Sequence, residues 1–202
     1  QKHNGVNDKA KKKLKKVSTE KVDTMNNRIE NLVDCKKHDN TSELFICEGQ
    51  SALGSVVLAR DAEYQDAYPL RGKILNCLKA DYDTIFKNKI VTDLVKVIGC
   101  GIEGDKKSKD LDIFNIENLR YDKIIATCDA DEDGFQISCL IITMIYRLMP
   151  TLIDEGHVYI ATTPLYEFKT KTDKMYYAFS ETEKDKVASK IKEDYKIARS
   201  KG

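Results

Sequence analysis

Between Lys123 and Ala161 the sequence switches cleanly between two hydrophobic periods. Lys123-Ile124-Ile125-Ala126-Thr127-Cys128 is a short, largely β-branched run that stops at Asp129, the form of a strand buried on both faces. Ile137, Leu140, Ile141, Met144, Ile145 and Leu148 then recur at three- and four-residue spacing up to Pro150, which is one face of a helix with its terminator. His157-Val158-Tyr159-Ile160-Ala161 supplies a further strand. Strand, helix and strand with short connections is the pattern of a right-handed parallel βαβ unit. An α/β fold with a parallel sheet flanked by helices is therefore predicted, and Leu44-Phe45-Ile46-Cys47, ending at Glu48-Gly49, adds another buried strand.

Caps and breaks organise the rest. Ser51 is placed to cap a helix from Leu53 to Ala59. Pro69 and Gly72 interrupt the chain, and Thr84 to Val97 gives one helical period with Gly99 at the position of a left-handed C-terminal cap. Gly104 to Lys109 reads as a charged loop, and Ser180-Glu181-Thr182-Glu183 as a capping box opening a polar helix across Phe179 to Ala198. The first 24 residues hold eight lysines against three acids and read as a solvated helix or arm.

Charge and length exclude several classes. With 34 basic and 33 acidic side chains, a net charge of +1, the 202-residue chain is no uniformly basic coat, so any nucleic-acid site is a local patch. The apolar run Leu140 to Tyr146 stops at Arg147, far short of the ~18–20 residues a membrane span needs. The N-terminus lacks a signal peptide's apolar segment, and the absence of an initiator Met implies a piece cut from something longer. The six cysteines, at 35, 47, 77, 100, 128 and 139, form no Cys-x-x-Cys pair and are expected to be free thiols in a reducing cytoplasm.

The chemistry concentrates in Asp129-Ala130-Asp131-Glu132-Asp133-Gly134. In an extended segment alternate side chains share a face, which would set Asp129, Asp131 and Asp133 together and Glu132 opposite. Such crowding is best tolerated around a divalent cation, and all-oxygen ligation suits Mg²⁺ or Ca²⁺ over Zn²⁺. The same residues copy the first half of an EF-hand loop, but the twelfth position is Leu140 and the preceding segment is a strand. If parallel strands end in acids, Glu48 and the aspartates meet across about one strand spacing, ~5 Å, at the sheet edge where open α/β folds bind ligands. A Glu plus Asp-x-Asp magnesium site of this kind points to phosphoryl transfer or phosphodiester cleavage.

Five segments in order carry a family resemblance: Glu48-Gly49-Gln50-Ser51-Ala52, Pro69 to Asn76, Leu119-Arg120-Tyr121, Asp129 to Gly134 and Gly156 to Ala161. Together they resemble the Toprim domain of type IIA DNA topoisomerases, specifically of the ATPase-bearing subunit of bacterial gyrase and topoisomerase IV. The resemblance implies a Rossmann-like Toprim sheet over 43–169, a basic, mostly helical arm over 1–42, and a C-terminal extension from 170. It implies Glu48, Asp129 and Asp131 as catalytic metal ligands, Asp133 as an additional or alternative ligand, and Arg71, Lys73 and Asn76 as DNA contacts. It implies Mg²⁺, with Mn²⁺ or Ca²⁺ as substitutes, and ATP only in a region absent here. Implied partners are double-stranded DNA and a tyrosine-bearing breakage-reunion subunit, like the A subunit of gyrase or the C subunit of topoisomerase IV, in a heterotetrameric, cytoplasmic, nucleoid-associated enzyme. Gln50 departs from the family's usual Asp and removes one negative charge from that neighbourhood.

Weaker patterns point elsewhere. Gly99-x-Gly101-x-x-Gly104 copies a dinucleotide fingerprint but follows a helical pattern and leads into Asp105-Lys106-Lys107-Ser108-Lys109. His38 and His157 show no partner at metal-ligand spacing. A stand-alone Toprim nuclease or primase, a calcium-binding module and a pure assembly domain are the alternative readings.

Overall fold

A computed structural model describes residues 29–39, 41–104, 111–170 and 172–200. The lysine-rich run at 1–24, most of the charged loop before Leu111 and the final two residues lie outside these. In order, the elements are β1 (Glu43–Cys47), α1 (Gln50–Ala59), β2 (Gln65–Pro69), α2 (Tyr82–Lys87), α3 (Lys89–Ile98), β3 (Lys123–Thr127), α4 (Glu132–Leu148), α5 (Thr151–Asp154), β4 (Val158–Ile160), β5 (Tyr166–Lys169), β6 (Met175–Ala178) and α6 (Glu181–Ser200).

The four strands β2-β1-β3-β4 form one wholly parallel sheet. From β1 the chain moves outward to β2, then returns across β1 to β3 and continues to β4, so the winding reverses between β1 and β3. Right-handed crossovers then set α1 on one face and α2, α3 and α4 on the other. The core divides accordingly. Leu44 and Ile46 of β1 join Ile124, Ala126, Ile141 and Ile145 in the main core, whereas Cys47 packs with Leu53 and Ala67 beneath α1. Alternate residues of one strand thus serve two cores, which is why β1 reads as an unbroken apolar run.

Local chemistry alters three sequence expectations. α1 begins at Gln50 with Gly49 as its N-cap, at φ 137°, and no side chain caps it, so Ser51 lies inside the first turn. A left-handed glycine lets the chain turn straight from β1 into the helix. The helix expected over Thr84–Val97 is two helices. Asn88 closes α2 with extended backbone and opens α3 by accepting from the Val91 N–H at 3.2 Å. Gly99 does take the left-handed cap, at φ 90°. At α6, Ser180 Oγ accepts from the Glu183 N–H, and Glu183 reaches back to the Phe179 N–H, one residue before the usual partner of a capping box.

Two features have no counterpart in the sequence reading. β2 is a full member of the sheet, and β5 pairs antiparallel with β6 in a hairpin that straddles Lys169. The segment before β1 lies along the open edge of β2. Val33 and Ala67 exchange both backbone hydrogen bonds, at 2.8 and 3.0 Å, and Lys36 and Lys37 donate to the carbonyls of Ala62 and Glu63. This strap shields an edge that would otherwise be open to pairing. No helix among the described residues is long and apolar enough to cross a membrane.

Candidate metal centre

Glu48 follows β1 directly and Asp129 stands two residues beyond β3; the two strands are neighbours, with Cys47 opposite Thr127. This is the carboxyl edge at the reversal of winding, where ligands bind in open α/β sheets. The Asp129 N–H donates to Glu48 Oε2 at 3.1 Å, which ties the loop after β3 to the acid that follows β1. That bond orients the Glu48 carboxylate and leaves its second oxygen free of it.

Extended alternation stops at Asp131. Asp131 is the N-cap of α4, its Oδ1 accepting from the Gly134 N–H at 2.8 Å, and Glu132 and Asp133 form the first helical turn. Asp133 therefore does not share a strand face with Asp129 and Asp131; it lies 4.0 Å from Lys73 Nζ, both groups exposed. Starting a helix here also offsets part of the repulsion, since carboxylates are favoured at the positive end of the helix dipole. Gly134 fixes the geometry: a Cβ there would lie 2.2 Å from the Asp129 carbonyl oxygen. Only glycine admits this approach of α4 to the loop. Because positions after Asp131 are helical and the segment before is β3, the EF-hand reading fails.

Two cysteines lie beneath the acids. Burial pushes the Cys47 thiol up to about 11, with Cys128 adding to the effect, and burial together with Glu48, Asp129 and Asp131 raises Cys128. Both stay protonated near neutral pH, so the available donors are carboxylate oxygens, a hard set that fits Mg²⁺ rather than a soft metal. The buried Thr127 hydroxyl at the root of this loop has no partner among the described residues.

The basic groups are less convergent. Arg71 and Lys73 are exposed on the loop after β2; Arg71 donates to Asn31 Oδ1 of the strap, and Lys73 approaches Asp133. Asn76 Oδ1 accepts from the Leu78 N–H at 3.1 Å, closing a turn, which accounts for this side chain by local structure. Gly101 serves a tight turn, at φ 77° with Asp112 and Ile113 carbonyls 2.6 and 2.7 Å from where a Cβ would stand, and no dinucleotide loop forms among the described residues. His157 takes a structural place, its Nδ1 2.7 Å from the Asp122 carbonyl oxygen. His38 differs from its sequence reading. Among the described residues, Cys35, His38 and Asp66 are the group of three metal-capable side chains whose ligand atoms all lie within 4.8 Å of one another.

A parallel sheet whose winding reverses between β1 and β3, with an acid after each of those strands, is the arrangement the Toprim resemblance implies. The chain belongs to that family, whose Toprim domain model matches residues 43–163. It is similar to the DNA gyrase B subunit of Streptomyces coelicolor, 40% identical over 179 residues that cover 85% of this chain and 25% of that protein. The novobiocin-sensitive DNA gyrase B subunit of Streptomyces niveus is 42% identical, and the DNA gyrase B subunit of Mycobacterium tuberculosis 40%, with the same coverage. The chain spans about a quarter of the length of these relatives.

Proposed function

We propose that this chain is the metal-binding Toprim part of a type IIA DNA topoisomerase, supporting Mg²⁺-dependent cleavage and rejoining of double-stranded DNA by a tyrosine on a partner subunit. The observation that supports the proposal is the Asp129 N–H bond to Glu48, which ties together the acid-bearing ends of two adjacent parallel strands in a chain similar to gyrase B subunits. Glu48, Asp129 and Asp131 are the residues that would hold the cation, with Asp133 as an additional ligand. A divalent cation bound there supplies charge stabilisation for the leaving 3′ oxygen and orientation of the phosphate. Glu48, oriented through one carboxylate oxygen, moves the proton to and from that 3′ oxygen with the other. Lys73 and Arg71 receive DNA phosphates, contacts that position the duplex without reading its sequence; Asn76 holds the turn beside them. ATP hydrolysis is assigned to a region outside this Toprim part, within a heterotetrameric, cytoplasmic, nucleoid-associated enzyme.

The test combines the chain, a tyrosine-bearing breakage-reunion subunit and supercoiled DNA, with Mg²⁺ or EDTA, and scores covalent protein–DNA complexes. Complexes are expected with Mg²⁺ alone and lost in Glu48→Ala and Asp129→Ala. Unchanged cleavage by those variants would remove the proposed site. Mg²⁺-dependent nicking by this chain without a partner would favour a stand-alone Toprim nuclease instead.

A further inference from the structure

Asp66 is fully buried in β2, facing the main core in register with Leu44, an unusual place for a carboxylate. Its Oδ1 accepts from the Cys35 N–H and its Oδ2 from the Tyr121 hydroxyl, both at 2.6 Å. Around it stand Cys35, buried, and His38, on the strap that covers the β2 edge. Cys35 Sγ is 3.8 Å from His38 Nδ1, and that nitrogen is 4.0 Å from Asp66 Oδ2. The other ring nitrogen, Nε2, lies 3.6 Å from Asp34 Oδ1. Arg120 Nη2 is 3.3 and 3.4 Å from the two ring nitrogens, so it sits beside the ring between them, not along either lone pair, and 3.4 Å from Asp34 Oδ1.

We propose that Cys35, His38 and Asp66 form a binding site for a zinc-class divalent metal at the junction of strap and sheet, with Asp34 positioning His38. Thiolate, imidazole and carboxylate are the donor types that zinc accepts, and three protein ligands leave one position for solvent. Bonds of roughly 2.0–2.3 Å place tetrahedral ligand atoms about 3.3–3.8 Å apart, so the Sγ–Nδ1 distance already fits, while the Nδ1–Oδ2 edge and the remaining edge from Sγ to Asp66, which lies within 4.8 Å, close as the metal binds. A carboxylate on the far nitrogen is the arrangement that fixes tautomer and ring orientation in metal-bound histidines. Charge supports the same assignment. Without a metal, Asp34 and Asp66 face the single guanidinium of Arg120, leaving one negative charge over; a dication with an ionised Cys35 brings the group to neutrality. A Cys35–His38–Asp34 nucleophilic triad is disfavoured, because Cys35 is buried and its Sγ donates to the Lys37 carbonyl at 2.9 Å. The cluster lies at the opposite end of the strands from Glu48. Leu44, the register partner of Asp66, precedes Glu48 by four residues, about 13 Å of strand.

The test is metal binding by the whole chain, stripped of metal with chelator and titrated with Co²⁺ and then Zn²⁺. One equivalent of Co²⁺ is expected to develop a thiolate-to-metal charge-transfer absorption, which Zn²⁺ abolishes by displacement. Cys35→Ser is expected to lose the band and His38→Ala to weaken binding at least tenfold; His38 is at the surface, so its variant should keep the wild-type circular dichroism. Asp34→Asn should weaken binding about 10–100-fold with stoichiometry unchanged. Since a thiol proton leaves on binding, affinity should rise about tenfold per pH unit near neutrality. Asp129→Asn, at the other end of the sheet, should leave the band intact, which separates this site from the proposed magnesium site. No thiolate band in the wild type, or an unchanged band in Cys35→Ser or in folded His38→Ala, overturns the proposal.

Discussion

Alanine at Gly54 and at Gly134 should change stability in opposite directions. Both residues lie within helices, α1 and α4, so each substitution gains the same intrinsic preference, about 1 kcal/mol. At Gly54 a Cβ meets nothing within 4 Å, and the gain stands alone. At Gly134 it meets the backbone of Asp129, with the carbonyl oxygen at 2.2 Å and the amide nitrogen at 2.9 Å. Opening 2.2 Å to the 3.4 Å of ordinary contact takes about 1.2 Å of movement, by α4 or by the loop that carries Asp129. Overpacking of this kind costs about 1–3 kcal/mol, and because propensity cancels between the variants, their difference isolates that cost. In a chain of this size each kcal/mol moves Tm by about 2–4 °C. The same shift pulls the Asp129 N–H off Glu48, releasing a carboxylate proposed to hold the cation, and loss of such a supporting bond typically weakens metal affinity about 10–100-fold. Urea unfolding followed by circular dichroism measures the first effect and Mn²⁺ titration the second. Equal stability of the two variants, with wild-type Mn²⁺ affinity in Gly134→Ala, would refute the reasoning.

Three further outcomes are expected. Cys47, Cys77 and Cys100 are held by burial at about 11, 11 and 12, against 9.0 for a free thiol, so above pH 9 the unfolded chain releases protons that the folded one retains. Stability is therefore full below pH 9 and declines as pH rises toward 11–12, and alanine at these positions should flatten the decline of the urea midpoint with pH. Tyr121→Phe removes the hydroxyl that serves buried Asp66 and should cost about 1–3 kcal/mol in urea unfolding; a neutral result would mean the 2.6 Å bond contributes nothing. Gln50→Asp places the first acid in the opening turn of α1, worth about 0.3–1 kcal/mol, beside Glu48. Its gain should be larger in Mg²⁺ than in EDTA, and equal gains would place position 50 outside the field of the metal site.

The strands β1, β3 and β4 and the helix α4 were legible because each carries its own signal: a short β-branched run or an apolar stripe at helical spacing. β2 was not, because Gln65-Asp66-Ala67-Tyr68-Pro69 places a carboxylate in the core. What makes that tolerable comes from far along the chain, from the Cys35 amide 31 residues before and the Tyr121 hydroxyl 55 after. Local pattern carries no trace of either. The division at Asn88 was hidden for the opposite reason. The apolar spacing runs on through it, and one asparagine ends α2 and opens α3 without a glycine or proline to mark the break.

The acidic site shows where a periodicity argument stops being valid. Alternation is a property of extended backbone, and what links Glu48 to Asp129 is instead the pairing of the strands that they follow, whose loop amide reaches the Glu48 carboxylate. Alternation fails at Asp133 because Asp131 caps a helix, and a cap changes the period from two to 3.6 within a single residue. The signal for that change was present: an aspartate followed three residues later by a glycine whose amide it accepts from, then by an apolar stripe at helical spacing. His38 carries the complementary lesson. Its neighbour at i−3, Cys35, is close enough in sequence to notice, but the third member, Asp66, reaches it only when the strap pairs with β2. A donor set completed by tertiary pairing has no spacing to read, so such sites emerge only once the edge that joins them is built.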